Sequence, residues 1–212
     1  MFKLIALRPL KGCRESALKC LKIGQMYYFC NDYIITEDGI RMRDEYVKPL
    51  PEDFFTTTES KGLRVNISAV VGMNGDGKST LIELAMRLIN NCAKHYRLTD
   101  KDRLLRIENI KAELYYQIDN EVYVIREAED EDYTSLMKYA DLSNHDVKEW
   151  KKLMTKVQGV KRNDNLFYTI VSNYSHYAYN TGDFKDEWNE NIKWDEDESE
   201  QCWLYNLFHK ND

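Results

Sequence analysis

The most restrictive stretch of this chain is Gly72-Met73-Asn74-Gly75-Asp76-Gly77-Lys78-Ser79, three glycines within six residues, followed by a lysine and a hydroxyl. Glycine admits backbone conformations that a Cβ forbids, so such a run turns sharply and aims its N–H groups inward. The flanks narrow the options. Residues 63–71 (LRVNISAVV) read as a short apolar strand. Beyond the run, Leu81, Leu84, Ala85, Leu88, Ile89 and Cys92 follow i, i+3, i+4, i+7 spacing, with Glu83 and Arg87 on other faces. That periodicity predicts a helix over residues 80–96. Strand, glycine loop and helix in this order specify an α/β chain.

Gly72, Gly77, Lys78 and Ser79 occupy every fixed position of Gly-x-x-x-x-Gly-Lys-Ser/Thr, the P-loop pattern. From average composition the four positions coincide by chance about once per hundred chains of this length, and the flanking elements lower that further. Each residue type has a physical task. Gly72, Asn74, Gly75 and Gly77 let the backbone close around phosphate oxygens, and the helix beginning near Lys78 through Thr80 adds its dipole to the anion site. The Lys78 ammonium stabilises the β- and γ-phosphates, and the Ser79 hydroxyl is the candidate Mg²⁺ ligand. ATP with Mg²⁺ is the expected cofactor pair. Asp76 adds a carboxylate at a position that the pattern leaves free; its side chain is expected to face solvent and weaken affinity slightly.

Elsewhere, residues 25–36 (QMYYFCNDYIIT) before Glu37-Asp38-Gly39 predict a small antiparallel hairpin. Residues 111–118 (KAELYYQI) and 121–127 (EVYVIRE) alternate with period 2 about Asp119-Asn120, a second hairpin. Residues 129–144 are polar and ambiguous. Ser143-Asn144-His145-Asp146 resembles the cap of a helix through Trp150, Leu153 and Val157. Residues 166–172 (LFYTIVS) read as a strand buried on both faces. If so, Asn173 and Ser175 lie at its carboxyl end, on the γ-phosphate side of a nucleotide. Residues 201–208 fit either a short helix or a buried strand.

The net charge is −6 over 212 residues, and no basic excess marks the chain for nucleic acid or an anionic membrane. Much of the acid falls in residues 183–200, expected to be a solvated loop. Five cysteines, widely spaced and without a C-x-x-C pair, point to reduced thiols. The apolar run around residues 67–71 is too short to span a bilayer, and the first residues show no cleavable signal. The cytoplasm is the expected compartment.

About 70 residues, a hairpin among them, precede the glycine loop, and another hairpin follows its helix. That arrangement, with Asn74-Gly75-Asp76-Gly77-Lys78-Ser79-Thr80-Leu81, resembles the ATP-binding-cassette (ABC) type of AAA-family ATPase head, especially its chromosome-maintenance branch. More loosely, Asp53-Phe54-Phe55 and residues 167–175 (FYTIVSNYS) resemble bacterial AAA-family ATPases of anti-phage defence. The resemblance implies a P-loop NTPase core flanked by an antiparallel β subsheet, with residues 1–212 forming one nucleotide-binding domain. It also implies ATPase activity in the completed assembly. A second copy or a missing C-terminal half would complete the head, and the chain is expected to be truncated. Nucleic acid is left open for that full assembly.

The departures are as informative. ABC-type hydrolysis needs a Walker B strand ending in Asp-Glu, a signature motif and a switch histidine. Leu114-Tyr115-Tyr116-Gln117-Ile118-Asp119 alternates like a hairpin arm instead, no Ser-Gly pair follows Ser79, and His145, His176 and His209 are isolated. Hydrolysis by this chain alone is expected to be weak or absent. The equivalent of the Q-loop carries Asn173 and Ser175 but no glutamine. Tyr46, Phe54 and Phe55 are candidates for stacking on adenine, with core packing as the competing role. Two other readings stay open. One is a small phosphotransferase acting on a nucleotide or metabolite, with Arg103, Arg106 and Arg162 as lid residues. The other is a protein-interaction module that nucleotide merely stabilises.

Overall fold

In a computed structural model of the chain, residues 2–43, 69–96 and 106–157 are described. The hairpin about Asp119-Asn120 forms where the period-2 pattern places it. Strand β5 (Ala112–Ile118) pairs antiparallel with β6 (Glu121–Glu127), Ile118 opposite Glu121. Asp119 takes the left-handed conformation at φ 48°, which a short polar residue tolerates. Around this pair grows a six-stranded sheet in the order β2-β1-β5-β6-β7-β9. Its other members are β1 (Phe2–Pro9), β2 (Tyr27–Tyr28), β7 (Ser135–Asp141) and β9 (Thr155–Lys156).

A second sheet holds β3 (Tyr33–Ile35), β4 (Gly39–Met42) and β8 (Glu149–Lys151). The Asp38-Gly39 turn joins β3 to β4 as expected, with Ile35 opposite Ile40. Two helices complete the described elements, α1 (Glu15–Leu18) and α2 (Lys78–His95). The protein is thus α/β with antiparallel sheets and few helices. Every strand pairing among the described residues is antiparallel.

The larger sheet is covered on both sides. Leu7, Leu114, Tyr116, Ile125 and Leu136 pack against α1 and α2. Ile5, Ala6, Tyr115, Val122, Val124, Met137 and Tyr139 join Ile35 and Ile40 of the smaller sheet. The alternation along β5 therefore separates two cores instead of core from solvent. Tyr115 meets Tyr139 edge-on at 5.0 Å on one face, and Tyr116 stacks on Tyr123 at 5.5 Å on the other. A register shift in β1 between Leu4 and Ala6 puts Leu4 and Leu7 on the helix side although they are three residues apart.

One expectation is corrected here, and one stretch left ambiguous by the sequence takes a definite form. The helix expected through Trp150, Leu153 and Val157 is absent; β8 and β9 stand there. The polar residues that looked like a cap make local turns instead. Ser143 N–H donates to Asp141 Oδ1 at 3.0 Å, and Asp146 N–H to Asn144 Oδ1 at 3.1 Å. Trp150 then points inward opposite Ile40, with Glu149 and Lys151 exposed on either side, a period of 2. The ambiguous residues 129–144 conceal β7. A shift against β6, pairing Val122 with Ala140 but Tyr123 with Lys138, breaks the alternation that a strand would show. Residues 166–172, 183–200 and 201–208 lie outside the described residues. Of the strand expected over 63–71, only 69–71 are described; they carry no strand, and Val71 is 85% exposed.

Helix α2 crosses the larger sheet and is fixed at its far end. Asn91 Nδ2 donates to the Ile107 carbonyl at 2.8 Å, and its Oδ1 accepts from Ile107 N–H at 2.8 Å. The same amide reaches Glu127 Oε2 at 3.3 Å. Glu127 is fully buried and also takes Thr134, Arg106 at 2.7 Å and Lys111 at 3.3 Å. Burial acts to raise its carboxyl pKa, but the hydrogen bonds from Thr134 and Arg106 and the two cations outweigh it and hold it below the ordinary 4.5. Because the folded value is depressed, this stabilisation is present above pH 4.5 and is lost as the pH falls through the folded value.

Glu127→Ala, which leaves the Arg106 and Lys111 charges uncompensated, is expected to cost about 3–5 kcal/mol in urea denaturation at neutral pH. Glu127→Gln is expected to flatten the acid limb of the stability curve below pH 4.5.

Candidate functional site

α2 begins at Lys78, so the glycine run feeds directly into its first turn. Gly77, just before the helix, is left-handed at φ 86°, and Gly75 at φ 91°. An L side chain at either costs about 1–2 kcal/mol in backbone strain alone. Their surroundings differ. A Cβ on Gly75 would meet nothing within 4 Å, whereas one on Gly77 would lie 2.6 Å from Cys20 Sγ and 3.2 Å from Leu21 Cδ2. The loop is therefore pressed against the turn that follows α1.

No side chain caps α2, and its first turn contains no acid. The first N–H groups of a helix lack intrahelical partners and carry the positive end of its dipole, which favours an anion there. Ser79 is exposed in that first turn while Thr80 is buried at 5% exposure, so of the two hydroxyls it is Ser79 that a ligand in solvent could reach. Gly72, Asn74 and Gly75 are exposed with it, and Lys78 is half-buried. The sequence-predicted loop residues 72–80 thus stand together at one end of one helix.

The side chains of the loop are bound to the loop itself. Lys78 Nζ donates to the Gly72 carbonyl at 2.8 Å and to the Met73 carbonyl at 2.6 Å. Asp76 is exposed, as expected, and its carboxylate also folds back on the loop: Met73 N–H donates to its Oδ2 at 2.6 Å. Asp76 N–H in turn donates to the Met73 carbonyl at 3.3 Å. A carboxylate accepts from a backbone N–H more strongly than a neutral oxygen does, and this contact draws Asp76 back. Gly72 makes the room, since a Cβ there would sit 3.0 Å from Asp76 Oδ2.

Beneath the loop, Glu83 receives Lys19 at 3.5 Å and Arg87 at 3.4 Å. Both Glu83 and Arg87 are buried, although the helical spacing set them off the apolar face. Burial lowers the Arg87 pKa, and Glu83 opposes that. Sequence reasoning missed the Lys19 contact to Glu83 and missed Cys20 and Leu21, because no local pattern couples residues so far apart in the chain; the Glu83–Arg87 pair, four residues apart on one helix, follows the local i,i+4 rule.

Asn173 and Ser175 lie outside the described residues, as do Tyr46, Phe54, Phe55, Arg103, Arg162, His176 and His209. Arg106 is described, and its guanidinium is committed to Glu127 and to the Asp132 carbonyl. His145 is exposed. The four described cysteines are free thiols, with Cys13 and Cys92 buried; burial pushes the Cys92 thiol well up. Among the described residues no group of three or more His, Cys, Asp or Glu is arranged to hold a metal ion, and no helix is long and apolar enough to cross a membrane. Compared with protein-family models, curated proteins and solved structures, the chain shows no match.

Gly77→Ala is expected to destabilise more than Gly75→Ala, by a further 1–3 kcal/mol or about that, because it adds overlap with Cys20 and Leu21 to the shared strain. Urea denaturation of both variants measures the gap, and Cys20→Ala in the Gly77→Ala background should narrow it.

Proposed function

We propose that this chain is the ATP- and Mg²⁺-binding lobe of an ABC-type ATPase, with a P-loop NTPase core beside the antiparallel sheets. The observation that carries the reading is the glycine loop itself, left-handed at Gly75 and Gly77, entering an uncapped helix of 18 residues at Lys78-Ser79-Thr80. The residues present fit the ligand. N–H groups of residues 74–79 would hold phosphate oxygens, Lys78 would neutralise the β- and γ-phosphates, and Ser79 would ligate Mg²⁺. When bound, the nucleotide supplies a transferable γ-phosphoryl group whose charge Mg²⁺ offsets.

The antiparallel sheets support the same reading, since ABC-type heads flank their P-loop core with such a subsheet. The chain's part is to bind and position. It carries no recognisable Walker B or signature motif, so hydrolysis in this reading is completed by a second copy or by a further protein segment bearing those groups. Asn173 and Ser175 are the proposed residues on the γ-phosphate side.

Calorimetry with ATP, GTP and ADP in the presence of Mg²⁺, combined with steady-state phosphate release, tests the proposal. ATP binding with negligible turnover is the expected result. Lys78→Ala is expected to abolish measurable binding, a loss of at least about 30-fold, since a hydrogen-bonded charge pair is worth roughly 2 kcal/mol. Its circular dichroism and urea midpoint should match the parent, because the ammonium of Lys78 bonds to the carbonyls of Gly72 and Met73 in the exposed loop. Retained ATP binding in Lys78→Ala would overturn the assignment. Brisk turnover by this chain alone would favour the phosphotransferase.

A further inference from the structure

We propose that Asp76 is a built-in competitor for the phosphate loop, an internal carboxylate that a nucleotide must displace before the loop can hold it. The inference rests on the nucleotide-binding reading and adds a regulatory contact to the same site.

Three contacts close the loop on itself. Met73 N–H donates to Asp76 Oδ2 at 2.6 Å, and Lys78 Nζ donates to the carbonyls of Gly72 and Met73 at 2.8 and 2.6 Å. The cation that would meet phosphate is thereby engaged with loop carbonyls, and an N–H of the loop is engaged with a loop anion. The carboxylate also brings a fixed negative charge to the entrance of an anion site, where it repels an incoming triphosphate.

The turn does not require this charge. Its sharp bends are made by Gly75 and Gly77, and Asp76 is exposed. A neutral amide at the same position would still accept from Met73 N–H. The negative charge adds strength to the contact and opposes phosphate, two effects with the same sign. Gly72 is part of the device, since a side chain there would crowd Asp76 Oδ2 at 3.0 Å. In this arrangement the free loop is held shut. The ligand best able to open it is a polyphosphate that carries its own Mg²⁺, because the metal offsets the repulsion.

The test uses the full chain with ATP·Mg²⁺ as the probe, comparing wild type, Asp76→Asn, Asp76→Ala and Lys78→Ala by calorimetry. A second readout, without nucleotide, is hydrogen exchange of the Met73 amide by NMR. The latch predicts that Asp76→Ala binds ATP·Mg²⁺ about 10-fold tighter than wild type, with Asp76→Asn also tighter, while Lys78→Ala binds least. It also predicts that the Met73 amide exchanges faster in Asp76→Ala than in wild type. Equal affinities in wild type and both Asp76 variants, with Lys78→Ala impaired, overturn the latch and leave the nucleotide reading standing. Absence of binding in every variant overturns the nucleotide reading and the latch with it. Tighter binding with unchanged Met73 exchange also overturns the latch, since charge alone would then account for the gain.

Discussion

The Glu127 carboxylate, buried at the end of β6, gathers Thr134, Arg106, Lys111 and Asn91 around it, and through Asn91 it fixes the far half of α2. A buried charge is tolerated only when paired and hydrogen-bonded, and here the partners come from α2, from the segment before β5 and from the segment before β7. Tyr96 adds a second tie, its hydroxyl accepting from Leu136 N–H at 3.0 Å. At the near end, Gly77 lies against Cys20 and Leu21. Between the two, Leu84 and Leu88 are fully buried, each worth about 1.5–3 kcal/mol of apolar burial. A helix held in this way sets where its own N-terminus, and hence the glycine loop, must stand.

The sheet beneath is an equally constrained partner. Arg8, Glu113 and Arg126 face one another across β1, β5 and β6, with Glu113 taking Arg8 Nε at 2.8 Å and Arg126 Nε at 3.1 Å. Tyr115 donates to the same carboxylate at 2.8 Å. Burial and the Glu113 charge together push the Tyr139 phenol up to about 12, which keeps it a neutral donor to the carbonyls of Thr36 and Gly39. That bond ties the larger sheet to the β3–β4 turn. One face of the sheet thus carries polar anchors among its apolar residues, and the other receives the helix.

Local patterns were legible where one physical rule acts alone. The helix after the glycine loop, the Asp119 hairpin and the Asp38-Gly39 turn each depend on periodicity or turn chemistry within a few residues. The loop residues 72–79 could be picked out for the same reason, their spacing being itself the signal. Reading failed where two rules compete. Ser143 and Asn144 look like helix caps because the side chains that cap helices also make Asx-type turns, and the strand pairing of Trp150 with β4 decided between them. β7 was illegible because its register shift erases the alternation.

By itself the sequence determined which residues form the loop and that a helix must follow it, because glycine conformations and helical periodicity are properties of neighbours along the chain. Only the tertiary structure decided what the loop leans on and where its charges go. The packing of Gly77 against Cys20, the reach of Lys19 to the buried Glu83, and the two-sided burial of β5 all join residues distant in sequence. The contact of Asp76 with Met73 N–H belongs to the same class despite its short span. The exposed carboxylate keeps its access to water, and it also meets that N–H because the loop, bent at Gly75 and Gly77, brings residues 73 and 76 together.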